Sequence, residues 1–209
     1  MVIIFVSCSR FNSAQYRALH SIAIDYIRYS IALRFMTASK PMRPAMEHLF
    51  LVRHGSYDKD RRLDDRGRKQ IVELSSMVRE ILGKDDRIQI LSSPADRARE
   101  SAETLASELG VTKVETFDYL WSGRDSPWRR PYGDMDAIHL LVTQRRYLSE
   151  ALILVTHTEA SMDYPEHLTR QEFGRDARFD ELLTGEAHYL NVSAMEWKRL
   201  PEGTLTCVI

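Results

Sequence analysis

Four short apolar runs, separated by more polar segments, dominate the hydrophobic pattern from residue 49 onward. Continuous runs of this kind are typical of strands buried in a parallel sheet. The predicted strands are Leu49–Val52, Ile88–Leu91, Val111–Phe117 and Ala151–Thr156. Two later runs, Glu186–Val192 and Thr204–Val208, are predicted to form a hairpin near the end of the chain.

Apolar residues at helical spacing fill most of the intervals between these runs. The predicted helices are Gly67–Leu82, the segment from Pro94 to Leu109, Met135–Leu148, and 158–169. Pro165 is expected to interrupt the last of these helices, because proline lacks the backbone donor that an α-helix needs. Strands that alternate with helices predict an α/β fold, here a three-layer sandwich with a mostly parallel central sheet.

The composition is that of a soluble globular protein and points to neither nucleic acid nor a membrane. The 209 residues are 44% hydrophobic and 28% charged, with a formal net charge of −1,. No segment reaches the roughly 18 consecutive apolar residues that a membrane-spanning helix needs. The two cysteines, Cys8 and Cys207, form no disulfide framework and suit a reducing compartment, so a cytoplasmic location is the default expectation,.

The charge distribution separates residues 1–46 from the rest of the chain. Their formal net charge is +5, whereas that of residues 47–209 is −6. Pro41 and Pro44 mark a break, and Met46 leads almost directly into the first strand,. We predict a basic N-terminal extension over 1–46 and a single domain over 47–209. The extension is open to three interpretations: a targeting or membrane-surface helix, an extra helix packed on the domain, or upstream sequence from a misassigned start.

Candidate chemistry follows three of the predicted strands, at the point where each strand ends. Arg53-His54-Gly55 follows the first strand, Arg97 lies about one turn into the helix after the second, and His157 follows the fourth. Ligands of open α/β sheets bind beyond the carboxyl ends of the strands. We therefore expect these two arginines and two histidines to converge at one edge of the sheet.

Two guanidinium groups beside two imidazoles are suited to a doubly charged oxyanion. The planar fork of an arginine matches phosphate oxygens in pairs, and a neutral imidazole nitrogen is a competent nucleophile toward phosphorus. Gly55 lets the backbone approach closely. Each residue alone has an ordinary structural interpretation, but their joint placement predicts a phosphate-binding α/β domain. Because the set contains no carboxylate cluster, we expect no metal and no other cofactor.

Four stretches of the chain resemble the histidine phosphatase superfamily, whose fold is called phosphoglycerate mutase-like. They are LFLVRHG (49–55), LDDRGRKQ (63–70), LSSPADRARESAETLA (91–106) and LILVTHTEA (152–160), in the order of the family. The resemblance implies a covalent phosphohistidine at His54, phosphate-binding roles for Arg53 and Arg97, and a second catalytic histidine at His157. We also include Ser56 among the predicted substrate-binding residues.

The chain departs from the family pattern after the third predicted strand. Many members carry a proton-donating Glu there in a Leu-x-Glu motif, but this chain has Ser122 at that position. The nearest acids are Asp118, Asp125 and Glu159, and Asp125 is the tentative choice because it lies in the same loop. The SixA-type phosphohistidine phosphatases also lack this Glu, and the domain of this chain is similar to theirs in length.

A missing acid matters less for a phosphohistidine than for a phosphoester. The former leaves as an imidazole, whereas an alkoxide is strongly basic and needs a proton. The sequence therefore predicts a metal-independent phosphatase of phosphorylated substrates, with phosphohistidine in proteins as the preferred one. Two alternatives stay open: a phosphatase of small phosphomonoesters with Asp125 or Glu159 as acid, and a non-catalytic phosphate-binding module.

Mutase activity is disfavoured, because Ser56-Tyr57-Asp58 differs from the mutase pattern after Gly55 and the Glu is missing. Basic and aromatic residues flank the predicted mouth of the pocket and are candidates for recognising an acidic or phosphorylated substrate. They are Arg61, Arg62, Trp121, Arg124, Trp128, Arg129 and Arg130.

Overall fold

The computed structural model describes residues 46–123, 126 and 134–201. In these ranges the strands are β1 (His48–Arg53), β2 (Ile88–Ser92), β3 (Val114–Thr116), β4 (Ala151–Thr156), β5 (Ala187–Asn191) and β6 (Glu196–Leu200). The helices are α1 (Asp65–Ile81), α2 (Asp96–Leu109), α3 (Met135–Arg145) and α4 (Thr158–Phe173), and one turn of 3₁₀ helix covers Asp118–Leu120. Among the helices described, none combines the length and the apolar character that crossing a bilayer requires.

The strands form a single mixed sheet in the order β3-β2-β4-β1-β5-β6. Strands β1 to β4 run parallel to their neighbours within this group, whereas β5 and β6 are antiparallel additions at one side. All six residues of β4 are buried, as a continuous apolar run between two parallel neighbours requires,. The mostly parallel central sheet that the sequence predicts is confirmed.

Helices cover both faces of the sheet and complete three layers. Phe50 and Val52 pack in one apolar cluster with residues of α1 and α2. Leu49 and Leu51, which alternate with them along β1, pack in a second cluster with residues of α3 and α4,. The predicted three-layer α/β sandwich is therefore confirmed.

The start of α1 is tied to the loop that follows β1. The Asp64 side chain caps the helix by accepting from the backbone N–H of Gly67 at 2.7 Å and from the Ser56 hydroxyl at 2.8 Å. The Gly67 bond above all, then that of Ser56, lowers the pKa of Asp64,. Gly55 and Gly67 lie against each other, and a Cβ on Gly55 would be 2.7 Å from the carbonyl oxygen of Gly67.

Gly67→Ala is expected to destabilise the fold by about 3 kcal/mol, because the contact between the loop and α1 has no room for a methyl group. The added Cβ would overlap the Ser56 carbonyl oxygen and lie 2.6 Å from Leu63 Cδ1. Equilibrium denaturation of the two proteins measures the difference. Gly83→Ala is the matched control, because its Cβ would meet only side-chain atoms of Asp86. Equal stability of Gly67→Ala and wild type would contradict the expectation.

Pro165 does not interrupt α4, contrary to the sequence-based expectation, and the helix continues to Phe173. The missing N–H of Pro165 leaves the carbonyl of Ser161 without its usual helical donor. His188 on β5 fills this role, since its Nδ1 lies 3.0 Å from the Ser161 oxygen, which can only accept. A side chain from the sheet therefore replaces the lost backbone donor.

Other predicted boundaries shift at the ends of elements. Strand β3 is three residues long, shorter than the predicted 111–117, and a turn of 3₁₀ helix begins at Asp118. β5 forms a hairpin with Glu196–Leu200, a strand that the sequence analysis did not predict. The predicted strand Thr204–Val208 and the extension 1–45 lie outside the described residues, and the boundary near residue 46 stays a prediction.

Candidate active site

The predicted site residues meet at the carboxyl edge of the sheet. Arg53 is the last residue of β1 and His54 follows it, Arg97 is the second residue of α2, and His157 lies between β4 and α4. The exposed fractions of His54, Arg97 and His157 are 4%, 6% and 3%, so all three are buried. Because β4 lies between β1 and β2, its end brings His157 into the space between His54 and Arg97.

The hydrogen bonds of His54 define its tautomer. Its Nδ1 lies 2.8 Å from the carbonyl oxygen of Gly55, which can only accept, so Nδ1 carries a proton,. Its Nε2 accepts from Nε–H of Arg97 at 3.0 Å. The Nε2 lone pair therefore faces the Arg97 guanidinium, while Nδ1–H binds the backbone and fixes the orientation of the ring.

Arg97 also contacts the second histidine. Its Nη2 lies 3.2 Å from His157 Nδ1, and since a guanidinium only donates, Nδ1 is the acceptor,. The Nε2 of His157 lies 2.9 Å from Ser93 Oγ and in this tautomer donates to it. The His54 and His157 rings meet edge to face with centroids 5.1 Å apart. One arginine therefore orients both imidazoles.

His157 is held in its neutral form. Burial lowers its pKa well below the usual value, and the electrostatic influence of the neighbouring His54, Arg97 and Arg53 lowers the pKa further,. A neutral imidazole beside two guanidinium groups adds hydrogen-bonding capacity without further repulsion inside the pocket. The site therefore has a net positive charge that comes from its arginines.

Two aromatic rings cover these polar groups. The Arg97 guanidinium carbon is 5.1 Å from the centroid of the Tyr57 ring, and Tyr57 packs edge-on against His54 with centroids 5.3 Å apart,. Trp121 stacks on His157 with centroids 6.2 Å apart. The sequence placed Trp121 at the mouth of the pocket but gave Tyr57 no such role. Its position three residues after His54 is the one feature of the sequence that could have indicated this role for Tyr57.

The backbone of the His54 loop is fastened to α2. The N–H of Gly55 donates to Ser101 Oγ at 3.0 Å, and that hydroxyl donates to the Arg97 carbonyl at 2.6 Å. These bonds connect the residue after His54 with the helical turn that carries Arg97. The spacing of the two side chains is therefore fixed by main-chain atoms as well as by their own contact.

Ser56, predicted to bind substrate, makes hydrogen bonds to other residues of the domain. Its hydroxyl donates to Asp64 and its N–H donates to Gln70 Oε1 at 2.9 Å. Arg62 likewise turns to the protein, where it pairs with the buried Glu100 at 2.6 Å. Ser56 and Arg62 therefore lie in the loop after His54, and the contacts described for them are with other residues of the protein.

Arg53 is held at the edge of the site by residues of the segment before β5. Its Nη1 donates to the carbonyl of Leu182 and to Glu181 Oε1, the latter at 2.9 Å. The side chain of Arg53 is 19% exposed and that of Glu181 is 61% exposed. The sequence gave no indication of this ion pair.

Ser122, at the position of the family's Glu, is fully buried. Its hydroxyl donates to Glu159 Oε2 at 3.2 Å and accepts from the backbone N–H of Ala160 at 3.2 Å. Of the candidate acids, Asp118 is exposed, Asp125 lies outside the described residues, and Glu159 is therefore the one seen to reach the Ser122 position. Arg124, Trp128, Arg129 and Arg130 also lie outside the described residues.

Within 46–123, 126 and 134–201, no group of three or more His, Cys, Asp or Glu side chains is arranged to hold a metal ion.

Residues 49–120 match the sequence profile of the histidine phosphatase superfamily (branch 1). No curated protein matches the chain. Among solved structures, the protein histidine phosphatase SixA complexed with tungstate is 17% identical, with a TM-score of 0.51 over 76% of this chain and 94% of SixA. The mycobacterial glucosyl-3-phosphoglycerate phosphatase is 14% identical, with a TM-score of 0.51 over 73% and 96%. A protein named mycobacterial hydrolase 1 is 13% identical, with a TM-score of 0.53 over 77% and 99%.

The chain is therefore similar to the histidine phosphatase superfamily in sequence over residues 49–120, and similar to SixA in fold over the described domain. The resemblance stated from the sequence is thereby confirmed. The similar structures carry different names, one a protein phosphatase and another a phosphatase of a sugar phosphoglycerate. The fold alone therefore selects no substrate.

Proposed function

We propose that this protein is a phosphatase that forms a covalent phosphohistidine at Nε2 of His54. The observation that carries the proposal is the acceptor state of that nitrogen, whose partner is a buried guanidinium. A nucleophile toward phosphorus needs an available lone pair and a cationic surrounding for the phosphoryl oxygens. A pocket for binding alone has no need of an imidazole oriented in this way.

In the first step, the phosphoryl oxygens take up the N–H groups of Arg97 and Arg53. The Nε–H of Arg97 then leaves His54 Nε2, whose lone pair attacks phosphorus while the bond to the leaving group breaks. The Nδ1–H bond to Gly55 favours the positive charge that develops on the ring,. The arginines stabilise the equatorial oxygens in the transition state.

In the second step, water attacks the phosphorus atom of the phosphohistidine. The P–N bond breaks, inorganic phosphate forms, and His54 returns to the neutral imidazole. His157 stays neutral and holds the Arg97 guanidinium in place through its Nδ1 acceptor. No metal is assigned a part in either step, because the positive charge that the phosphoryl group requires comes from the arginines.

For the substrate, we propose phosphohistidine in a protein. Ser122 supports this choice, since a hydroxyl occupies the position at which related enzymes carry their proton donor. An imidazole leaving group depends less on a donated proton than an alkoxide does. The proposal places the enzyme in the cytoplasm and leaves residues 1–46 as a separate extension.

Hydrolysis of small phosphomonoesters is the second candidate function, and one contact favours it. Glu159 reaches the Ser122 hydroxyl at 3.2 Å, so a carboxyl group from α4 contacts the residue that stands at the position of the family's Glu. In this case Glu159 is the acid, with Asp125 as the other candidate. A non-catalytic phosphate-binding module is the third reading and predicts no turnover.

A comparison of leaving groups tests the proposal. Full-length protein is incubated with a phosphohistidine-containing protein, with p-nitrophenyl phosphate and with glycerol phosphate at equal concentrations. We expect the phosphohistidine to be cleaved at least about a hundred-fold faster than glycerol phosphate, because an acid contributes about that factor to an alkoxide leaving group. Efficient hydrolysis of glycerol phosphate with phosphohistidine left intact would contradict the proposed substrate.

Matched variants then identify the acid if esters are hydrolysed. Glu159→Gln lowers glycerol phosphate hydrolysis by about a hundred-fold if Glu159 donates the proton, and leaves it unchanged if Asp125 does. Asp125→Asn gives the reverse pattern. Because p-nitrophenolate is a weakly basic leaving group, its hydrolysis should change much less in either variant, and it reports whether the pocket is intact.

A further inference from the structure

Glu181 forms an ion pair with Arg53, one of the two arginines assigned to the phosphoryl group. The carboxylate oxygen lies 2.9 Å from Arg53 Nη1, at the geometry of a charge-assisted hydrogen bond,. The carboxylate competes by its negative charge with a phosphate that binds this guanidinium, and it also takes up the Nη1 donor,. The Glu181 carboxylate is therefore an anion of the protein itself that binds Arg53 in the pocket.

The two contacts of Arg53 Nη1 differ in how firmly they are held. Leu182, which offers its backbone carbonyl, is buried completely. Glu181 offers a side chain that is 61% exposed, so its carboxylate can turn into water without disturbing the core. Loss of the Glu181 contact therefore leaves the guanidinium anchored through the main chain.

We infer that Glu181 is a displaceable internal competitor that sets the affinity of the site for the phosphoryl group. This inference rests on the proposed phosphate pocket. When phosphate binds, the carboxylate leaves Arg53. When phosphate departs, the carboxylate returns and neutralises the guanidinium again. Glu181 thereby weakens both substrate and product binding, and it does so without contacting the reacting atoms.

Its effect is moderate in size. An exposed ion pair contributes up to about 1 kcal/mol, so removing the competing charge is expected to tighten phosphate binding by about three- to five-fold. The effect is electrostatic and therefore shrinks as salt is added. A residue that served instead to position Arg53 would produce the opposite change on removal.

Isothermal titration of inorganic phosphate at pH 8 into the full-length protein tests the inference. Glu181→Gln, which keeps the shape and removes the charge, is expected to lower the Kd by about three- to five-fold at low salt. The change should be smaller at about 0.5 M sodium chloride, where the Debye length is only about 4 Å. Asp180→Asn is the matched control, because it removes the same charge from the neighbouring exposed position. Its Kd should change by less than about two-fold.

An unchanged or higher Kd in Glu181→Gln overturns the inference, as does an equal decrease in Asp180→Asn. Absence of phosphate binding in wild type and variant alike also overturns it. The proposed function fails separately. If Glu181→Gln binds phosphate more tightly while no substrate is turned over, the inference on Glu181 is supported and the phosphatase proposal is contradicted. If turnover depends on His54 while the Kd of Glu181→Gln is unchanged, the inference on Glu181 is contradicted and the phosphatase proposal is supported.

Discussion

His54→Ala is expected to lower the turnover of every substrate by about a thousand-fold or more, because the variant lacks the nitrogen that accepts the phosphoryl group. The Nε2 lone pair of His54 faces the guanidinium of Arg97, one of the two arginines assigned to the phosphoryl group. The neighbouring His157 is oriented differently, since its Nε2 carries a proton and faces Ser93.

Trapping of the phosphoenzyme measures this result directly. Alkaline quenching during turnover of a radiolabelled substrate should leave an alkali-stable, acid-labile phosphate on wild type and none on His54→Ala. His167→Ala is the matched control, since His167 lies on α4 near Asp136 and takes no part in the pocket. Retention of a tenth or more of the wild-type rate in His54→Ala would contradict the covalent mechanism.

Arg97→Ala is expected to reduce kcat/KM by about a thousand-fold, the second large effect. Arg97 donates to both His54 and His157, so its loss removes a phosphate ligand and also the group that orients both rings. Arg97→Lys keeps a positive charge but cannot make both contacts at once. We expect Arg97→Lys to recover only part of the loss, about ten-fold, because an ammonium lacks the planar fork.

The control for Arg97 lies two residues further along α2. Arg99 is an exposed arginine that pairs with Asp96 and Glu103 on the helix surface. Arg99→Ala should change kcat/KM by less than about two-fold, because surface pairs of this kind contribute little. Steady-state kinetics and the unfolding midpoint are measured for all three variants. Similar activity of Arg97→Ala and Arg99→Ala would rule out the proposed role of Arg97.

The convergence of Arg53, His54, Arg97 and His157 could be predicted because it depends on topology alone. Parallel strands bring their carboxyl ends to the same edge, and apolar runs mark where those strands stop. The structure places the four side chains at that edge. Their catalytic roles stay predictions, to be decided by the variants above.

Contacts that depend on the path of a loop could not be predicted. Glu181 reaches Arg53 across 128 positions of sequence, and Ser122 reaches Glu159 across 37. Nothing in the spacing of hydrophobic residues reports which exposed carboxylate turns toward a distant arginine. Ser56 shows the opposite error. Its position after Gly55 suggested a role in the pocket, but its hydroxyl donates to Asp64, the residue that caps α1.

Pro165 shows how tertiary structure overrides a local rule. The rule predicts a break because the ring removes a donor from the helix. His188 restores the missing hydrogen bond from another element, at the Ser161 carbonyl. The sequence contains both residues, but their pairing follows from the placement of β5 beside β1, which local periodicity does not encode.

The position of β4 in the sheet has a consequence for biosynthesis. β1 is made first, yet both strands that pair with it, β4 and β5, come later in the chain. Until residue 156 has left the ribosome, β1 and β2 lack the partner that lies between them, and their apolar edges are open to wrong pairing. The pocket cannot form earlier than this point, because His157 is the last of its residues to be synthesised. Chaperone binding to the nascent chain is therefore expected to be strongest before β4 emerges and to fall once it has been inserted.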